Sequence, residues 1–404
     1  MEHPPSRDLV ASLLAVVALG CGAAPDESLD EPLGSESQAL DFLDPGDTGG
    51  GDTVFDFPQP CLSAASCERT LAVGGKNVRY FGSYGLGSSN PNVQHAVIMV
   101  HGVNRNAGQY FDTLVASANM AQTSGYNPGA TVDTILLAPH FPNQTDNRPA
   151  DYHHWQDDGW VAGNDSCVSP KISSYAVVDA MIDALTAPGR FPALASITVA
   201  GHSAGAQLTH RYAAANGKDG SLPNSIILRY VVANPSSYLY VNGARPKYDG
   251  SPGFGVPYTY QCSFGGLGGY SCSWKKNAGF GSAPSCPTSY DDYRYGLADL
   301  YGYAGAVGAT TLRSRLLDRS VIVLLGTADT DPADPNLDTS CPAALQGPNR
   351  FVRGHRQLDF LNAYYPGHGH GLVEVPGAGH NSGQMFVQSP TGSDIGSAVL
   401  FFEW

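Results

Sequence analysis

Ser203 lies in Gly201-His202-Ser203-Ala204-Gly205, directly after the run Ala195-Ser196-Ile197-Thr198-Val199-Ala200. A Gly-x-Ser-x-Gly pentapeptide between a buried strand and a helix is the setting of a nucleophile elbow. The serine occupies a strained strand-to-helix turn, and the glycines let the backbone cross closely. Its hydroxyl then projects from the carboxyl edge of the sheet, where the opening N–H groups of the next helix face developing negative charge. Such a pentapeptide recurs by chance in a chain with 48 glycines, so its partners must carry the reading.

A nucleophilic serine needs a base for its proton, an acid that orients the base, and donors for the oxyanion. The expected chain order is Ser, then Asp or Glu, then His, each at the end of a later strand. After the apolar run Val321–Leu325 comes Gly326-Thr327-Ala328-Asp329-Thr330. After Leu372–Val375 comes Pro376-Gly377-Ala378-Gly379-His380. Ser203, Asp329 and His380 meet both the order and the placement. Asp331 is an alternative acid. His368 and His370 precede the last strand, on the wrong end for a base. The spacing of Asp329, Asp331, Asp334 and Asp338 has part of a calcium loop but lacks its Gly and closing Glu, so no metal or other cofactor is expected.

These residues must be positioned by strands and helices. Near-continuous apolar runs at Ala96–Val100, Thr134–Ala138, Ile197–Ala200, Leu228–Ala233, Val321–Leu325 and Leu372–Val375 predict strands covered on both faces. Helical patterns fall between them, around Gly108–Ala121, Ser173–Leu185, Ser203–Ala215, Asp291–Tyr303 and His355–Ala363. Thr70–Val73 and Val78–Tyr84 predict a leading hairpin. The alternation implies an α/β fold with a mostly parallel central sheet and helices on both faces. Ser236–Ser289 breaks the rhythm: rich in Gly, Tyr, Pro and Cys, it predicts a disulfide-stapled, lid-like insertion.

In these features the chain resembles the α/β-hydrolase superfamily, on its esterase, lipase and polyester-depolymerase side. The resemblance covers roughly residues 93–404 and rests on Val100-His101-Gly102, the pentapeptide, Leu325-Gly326-x-x-Asp329-Thr330 and Gly377-x-Gly379-His380. It implies hydrolysis of a small-molecule or polymeric ester, with Ser203 as nucleophile, His380 as general base and Asp329 fixing the imidazole's tautomer. One oxyanion donor is expected from the Ala204 N–H, directly after the nucleophile. The other is expected from His101-Gly102-Val103-Asn104, which resembles the superfamily's oxyanion loop; Val103 is the choice and Gly102 the alternative. His101 is expected to brace this loop, and His202 to pack or hydrogen-bond. Trp155 and Trp160 stand in a polar loop and Tyr238 in the insertion, so all three are expected to line the substrate site. A peptidase or acyltransferase on the same scaffold, and a non-catalytic surface lipoprotein, are the rival readings.

The remaining composition bounds partners and compartment. The chain carries a formal charge of −14, but ten carboxylates and no Lys or Arg fall between residues 22 and 60. With one net negative charge before them, residues 61–404 are left at −3, without a basic stripe for nucleic acid. Leu9–Gly20 is an apolar run of signal-peptide length, and Ala18-Leu19-Gly20-Cys21 resembles a bacterial lipobox. Residues 1–21 therefore predict export with lipid anchoring at Cys21, 22–60 an acidic tether, and 61–404 the catalytic domain. Seven further cysteines agree with an oxidising compartment. Cys61–Cys67 is the expected short bridge, and two of Cys262, Cys272 and Cys286 are expected to close the Gly-rich loop. The odd count leaves one thiol unpaired or one pairing incomplete.

Overall fold

A computed structural model of the chain describes residues 58–402, apart from 224 and 265–269. The signal peptide, Cys21 and nearly all of the acidic tether lie outside the described residues. Strands β1 (Glu68–Val73) and β2 (Lys76–Gly82) form the leading hairpin. Gly74 and Gly75 turn it with φ of 56° and 82°, a conformation that needs glycine. Next come β3 (His95–Val100), β4 (Thr134–Pro139), β5 (Ser196–His202) and β6 (Ile227–Ala233). Two short strands, β7 (Arg245–Pro246) and β8 (Phe254–Gly255), pair with each other, as do β9 (Tyr258–Phe264) and β10 (Tyr270–Lys276). The last strands are β11 (Val321–Gly326) and β12 (His370–Val375).

The main sheet has eight strands in the order β1-β2-β4-β3-β5-β6-β11-β12. All neighbours from β4 to β12 are parallel. The apolar runs explain this burial. In β3, Ala96, Ile98 and Val100 enter the core cluster on one face while Val97 and Met99 enter the cluster on the other. In β4, Ile135 and Leu137 divide from Leu136 and Ala138 in the same way. Each such fully buried side chain is worth about 1.5–3 kcal/mol. One face is covered by α2 (Ser174–Leu185), α3 (Ala204–Ala215), α5 (Ala309–Asp318) and α7 (Arg350–Tyr364), the other by α1 (Ala107–Thr123), α8 (Ser382–Phe386) and α9 (Ile395–Phe401). Side chains start three of these helices: the Ser173 hydroxyl accepts from the Tyr175 N–H, and the side-chain carbonyls of Asn349 and Asn381 accept from the Val352 and Gln384 N–H groups.

Three expectations need correction. Residues 291–301 are not helical; Asp299 adopts a positive φ of 44°, and the helix α4 (Gly302–Val307) begins only afterwards. The amphipathic α5, buried through Leu312 and Leu316, lies outside the helical patterns read from the sequence, as do α8 and α9. The insertion is not a surface lid along its whole length either. Tyr238, Leu239, Tyr240 and Val241 are fully buried in the core, and only its later part, including the β9–β10 hairpin, is exposed.

The disulfides are Cys61–Cys67, Cys262–Cys272 and Cys286–Cys341. The third ties the insertion to the short helix α6 (Cys341–Ala344), a pairing not foreseen. Among the described residues, no helix is long and apolar enough to cross a membrane.

Candidate active site

Ser203 stands between β5 and α3 with φ 57° and ψ −120°. A positive φ is uncommon for a residue with a Cβ and persists only where its surroundings enforce it. Here the Ser203 N–H donates to the Ala233 carbonyl at 3.0 Å, and its carbonyl accepts from the Gln207 N–H at 3.1 Å. A Cβ on Gly201 would overlap the Gly205 carbonyl, and one on Gly205 would overlap the Val100 carbonyl. The crossing of β5, α3 and the end of β3 therefore requires both glycines. Strand order and elbow together decide the architecture. The fold is that of the α/β-hydrolases.

The loop after β12 carries His380 back to this serine. His380 Nε2 is 2.9 Å from Ser203 Oγ, and Nδ1 is 2.7 Å from Asp329 Oδ2. Asp329 follows β11 by one short turn. Asn234, at the end of β6 with φ 47°, braces both loops: its carbonyl accepts from the Gly326 N–H at 2.9 Å and its amide donates to the Gly379 carbonyl at 3.2 Å. Further along the loop, Gln384 accepts from the Gly379 N–H at 2.9 Å.

Behind Asp329 lies a residue that sequence reasoning missed. The Arg350 guanidinium is fully buried at the start of α7, 3.4 Å from Asp329 Oδ1 and 3.1 Å from Asp334 Oδ2. Its Nε donates to Ser236 Oγ at 3.1 Å. Arg350 pulls the pKa of Asp334 down against the opposing effect of burial. The alternative acid, Asp331, is exposed and accepts from the Ala333 N–H two residues on. Asp338 accepts from the Tyr295 hydroxyl. The four aspartates considered as a calcium loop are thus each engaged by protein donors, with Arg350 shared by Asp329 and Asp334.

The loop after β3 passes over the serine: a Cβ on Gly102 would lie 3.7 Å from Ser203 Cβ. The Phe141 N–H donates to His101 Nε2 at 3.0 Å, which assigns the proton to Nδ1, and Nδ1–H donates to the Gly102 carbonyl at 2.9 Å. The Arg105 N–H reaches the same carbonyl at 3.1 Å. Because a peptide unit is planar and trans, anchoring that carbonyl turns the Val103 N–H to the opposite side. The Arg105 side chain also donates to the Val103 carbonyl at 2.9 Å and is held by Asp146 through Nε at 2.6 Å. Burial, aided by His140, pulls the His101 pKa down to about 3, so His101 braces the loop as a neutral ring.

Trp155, Trp160 and Tyr238 do not line an open site. All three are fully buried. Trp160 packs on His101 at 4.7 Å between ring centroids and stacks on Phe141 at 5.5 Å. Trp155 donates its indole N–H to the Asn164 carbonyl at 2.9 Å. Tyr238 lies against His210, at 5.3 Å. Their polar sequence context misled because those loops fold inward under the sheet edge. His370 starts β12 with its ring against the Leu316 carbonyl, remote from the serine. His202 packs beside His380 with the rings tilted by 34° and 4.6 Å between centroids, and its Nδ1 is 2.9 Å from the Tyr110 hydroxyl. Burial first, then His380 and Arg350, hold the pKa of His202 well below the usual value.

No family model and no curated protein sequence matches the chain. Among solved structures, it is similar to LpqC, a poly(3-hydroxybutyrate) depolymerase from Bordetella parapertussis. The identity is 18%, covering 79% of this chain and 86% of that one, with a TM-score of 0.49. It is also similar to poly(aspartic acid) hydrolase-1 from Sphingomonas sp. KT-1, at 18% identity over 83% and 98% of the two chains and a TM-score of 0.47. An S-formylglutathione hydrolase from Agrobacterium tumefaciens is similar at 10% identity, 83% and 94% coverage and a TM-score of 0.42.

Proposed function

We propose that this chain is an exported serine hydrolase that cleaves carboxylic esters through an acyl-enzyme. The supporting observation is the unbroken hydrogen-bonded chain from Asp329 through His380 to Ser203, built on a serine held at φ 57°. His380 Nε2 takes the hydroxyl proton as Ser203 Oγ attacks the carbonyl carbon. Asp329 holds Nδ1–H and stabilises the imidazolium that forms. The N–H groups of Ala204 and Val103 receive the oxyanion, and the anchored Gly102 carbonyl favours Val103 over Gly102 as second donor. His380 then protonates the leaving alcohol, activates a water and releases the acid.

A fluorophosphonate probe should label the protein at Ser203, and Ser203→Ala should abolish both labelling and turnover of p-nitrophenyl esters. Labelling that persists in Ser203→Ala, or absence of labelling in the parent, refutes the assignment. Product analysis with matched ester, amide and acceptor-alcohol substrates separates the esterase from a peptidase or acyltransferase. Export is supported by the disulfides, which form and persist in oxidising compartments. Mass spectrometry of the cell-derived N-terminus tests the anchor: a lipid on Cys21 is the expected result, and an uncleaved leader or a disulfide at Cys21 refutes it.

A further inference from the structure

The β9–β10 hairpin takes no part in the chemistry above. Its register places Tyr260 opposite Trp274, Cys262 opposite Cys272 and Phe264 opposite Tyr270. Side chains alternate along a strand, so these four aromatics and the disulfide share one face. Thr259, Gln261, Ser263, Ser271, Ser273 and Lys275 occupy the other. The aromatic face is open to solvent: Tyr260, Phe264, Tyr270 and Trp274 are 56, 68, 76 and 43% exposed. They pack only across the ladder, with ring centroids 5.3 Å apart for Tyr260–Trp274 and 5.4 Å for Phe264–Tyr270. A contiguous exposed apolar patch of this kind marks an interaction site.

We propose that this face docks on an anionic lipid surface. Charge complementarity selects the occupant. On the hairpin itself Lys276, opposite Tyr258, shares the aromatic face, Lys275 stands beside it on the other, and no carboxylate lies between residues 250 and 290, although the whole chain has a charge of −14. Three of the four aromatics also carry an O–H or N–H, which suits the headgroup level where a ring is buried and its tip stays wet. The Cys262–Cys272 bridge crosses the middle of the ladder and holds the rings in place, so docking does not have to order them first. The two strands satisfy each other's facing backbone groups, and shallow seating leaves their outer edges in water.

The test uses the full-length chain with vesicles of phosphatidylcholine, alone or mixed with phosphatidylglycerol, containing brominated acyl chains. The part of the tryptophan quenching that Trp274→Phe removes reports contact by the hairpin itself. It should appear on the phosphatidylglycerol vesicles, weaken on phosphatidylcholine alone and fall with added salt. The double variant Phe264→Ser/Tyr270→Ser should lose about tenfold or more in partitioning. Lys276→Gln should lose about fivefold on the anionic vesicles only. These side chains are exposed, so turnover of a soluble ester should be retained in every variant. Vesicle binding without Trp274-dependent quenching overturns the proposal and leaves the N-terminal apolar run as the contact. Equal quenching on both vesicles, unchanged by Lys276→Gln, overturns the anionic preference. Self-association that depends on Phe264 and Tyr270, or retention on a polyester film without vesicle binding, assigns the face to another occupant and overturns it too.

Discussion

Replacing Arg350 by Met should disable the site from behind while leaving every group at the serine in place. The guanidinium is fully buried and stands 3.4 Å from Asp329 and 3.1 Å from Asp334, whose side chains are 3% and 19% exposed. At an effective dielectric of about 20, each contact has a gross Coulomb energy of about 5 kcal/mol. Most of that offsets desolvation, but removing one partner of a buried pair strands the other and costs about 3–5 kcal/mol. Met keeps much of the apolar stem, so the loss is chiefly the charge and the Ser236 hydrogen bond. The expected result is a stability loss of about 3 kcal/mol or more by urea unfolding, together with a kcat at least about tenfold lower and little change in KM.

Arg353 supplies the control. It is almost fully buried one turn further along α7, but it donates only to the carbonyls of Gly347, Ser236 and Asp338. Arg353→Met should therefore lose stability without a selective fall in kcat of the folded enzyme. If Arg350→Met unfolds at the parent's urea concentration, or if both variants lose kcat equally, the claim that Arg350 holds Asp329 in register is wrong.

Asp329→Asn should lower kcat by about 10⁴, whereas Asp331→Asn should stay within about twofold of the parent; the reverse ranking would move the orienting acid to Asp331. Trp160→Ala should cost about 3–5 kcal/mol in thermal or urea unfolding, because it empties a core site against His101; a KM effect at unchanged stability would return Trp160 to the substrate wall. Stability should also fall as pH drops from about 6.5 towards 4. His101, His140 and His370 are held by burial at about 3, 4 and 4, and burial holds His202 and His210 well below the usual value. Folded-state pKa values below the unfolded value mean that the unfolded chain takes up protons first. Stability is thus full above about 6.5 and falls by up to about 1.4 kcal/mol per pH unit for each group, with the raised Asp179 opposing it at lower pH. A urea midpoint that is flat from about pH 8 to about 5 would show that these rings are not buried neutral.

The parallel sheet and the meeting of Ser203, Asp329 and His380 were legible because each residue stands one short turn beyond an uninterrupted apolar run. Such runs fix strand direction, and parallel strands present their carboxyl ends at one edge. Arg350 carried no such signal. Its burial depends on Ser236, Asp329 and Asp334, which the chain brings together from two separate segments. Asn234 was hidden in the same way, since its two partners lie 92 and 145 residues further on. Trp155 and Trp160 show the opposite error. A polar neighbourhood in sequence predicts exposure only where the loop stays at the surface, and here His153 anchors the loop by its ring to the Val73 carbonyl.

What distinguishes His380, the base proposed above, from the other imidazoles is the partner each nitrogen meets. His101 donates to a carbonyl from one nitrogen and accepts a backbone N–H at the other, and His202 faces a phenol; burial keeps both rings neutral. His370 likewise meets the Leu316 carbonyl. His355 approaches a carboxylate, Glu374, but the pair is on the surface at 39% and 44% exposure, where solvent screens it. Only His380, among the described histidines, joins a buried carboxylate to a serine hydroxyl. The carboxylate favours the imidazolium while burial of its neighbours opposes any second positive ring nearby. A proton leaving Ser203 therefore has one place to go, and Arg350 matters because it keeps the carboxylate that defines that place.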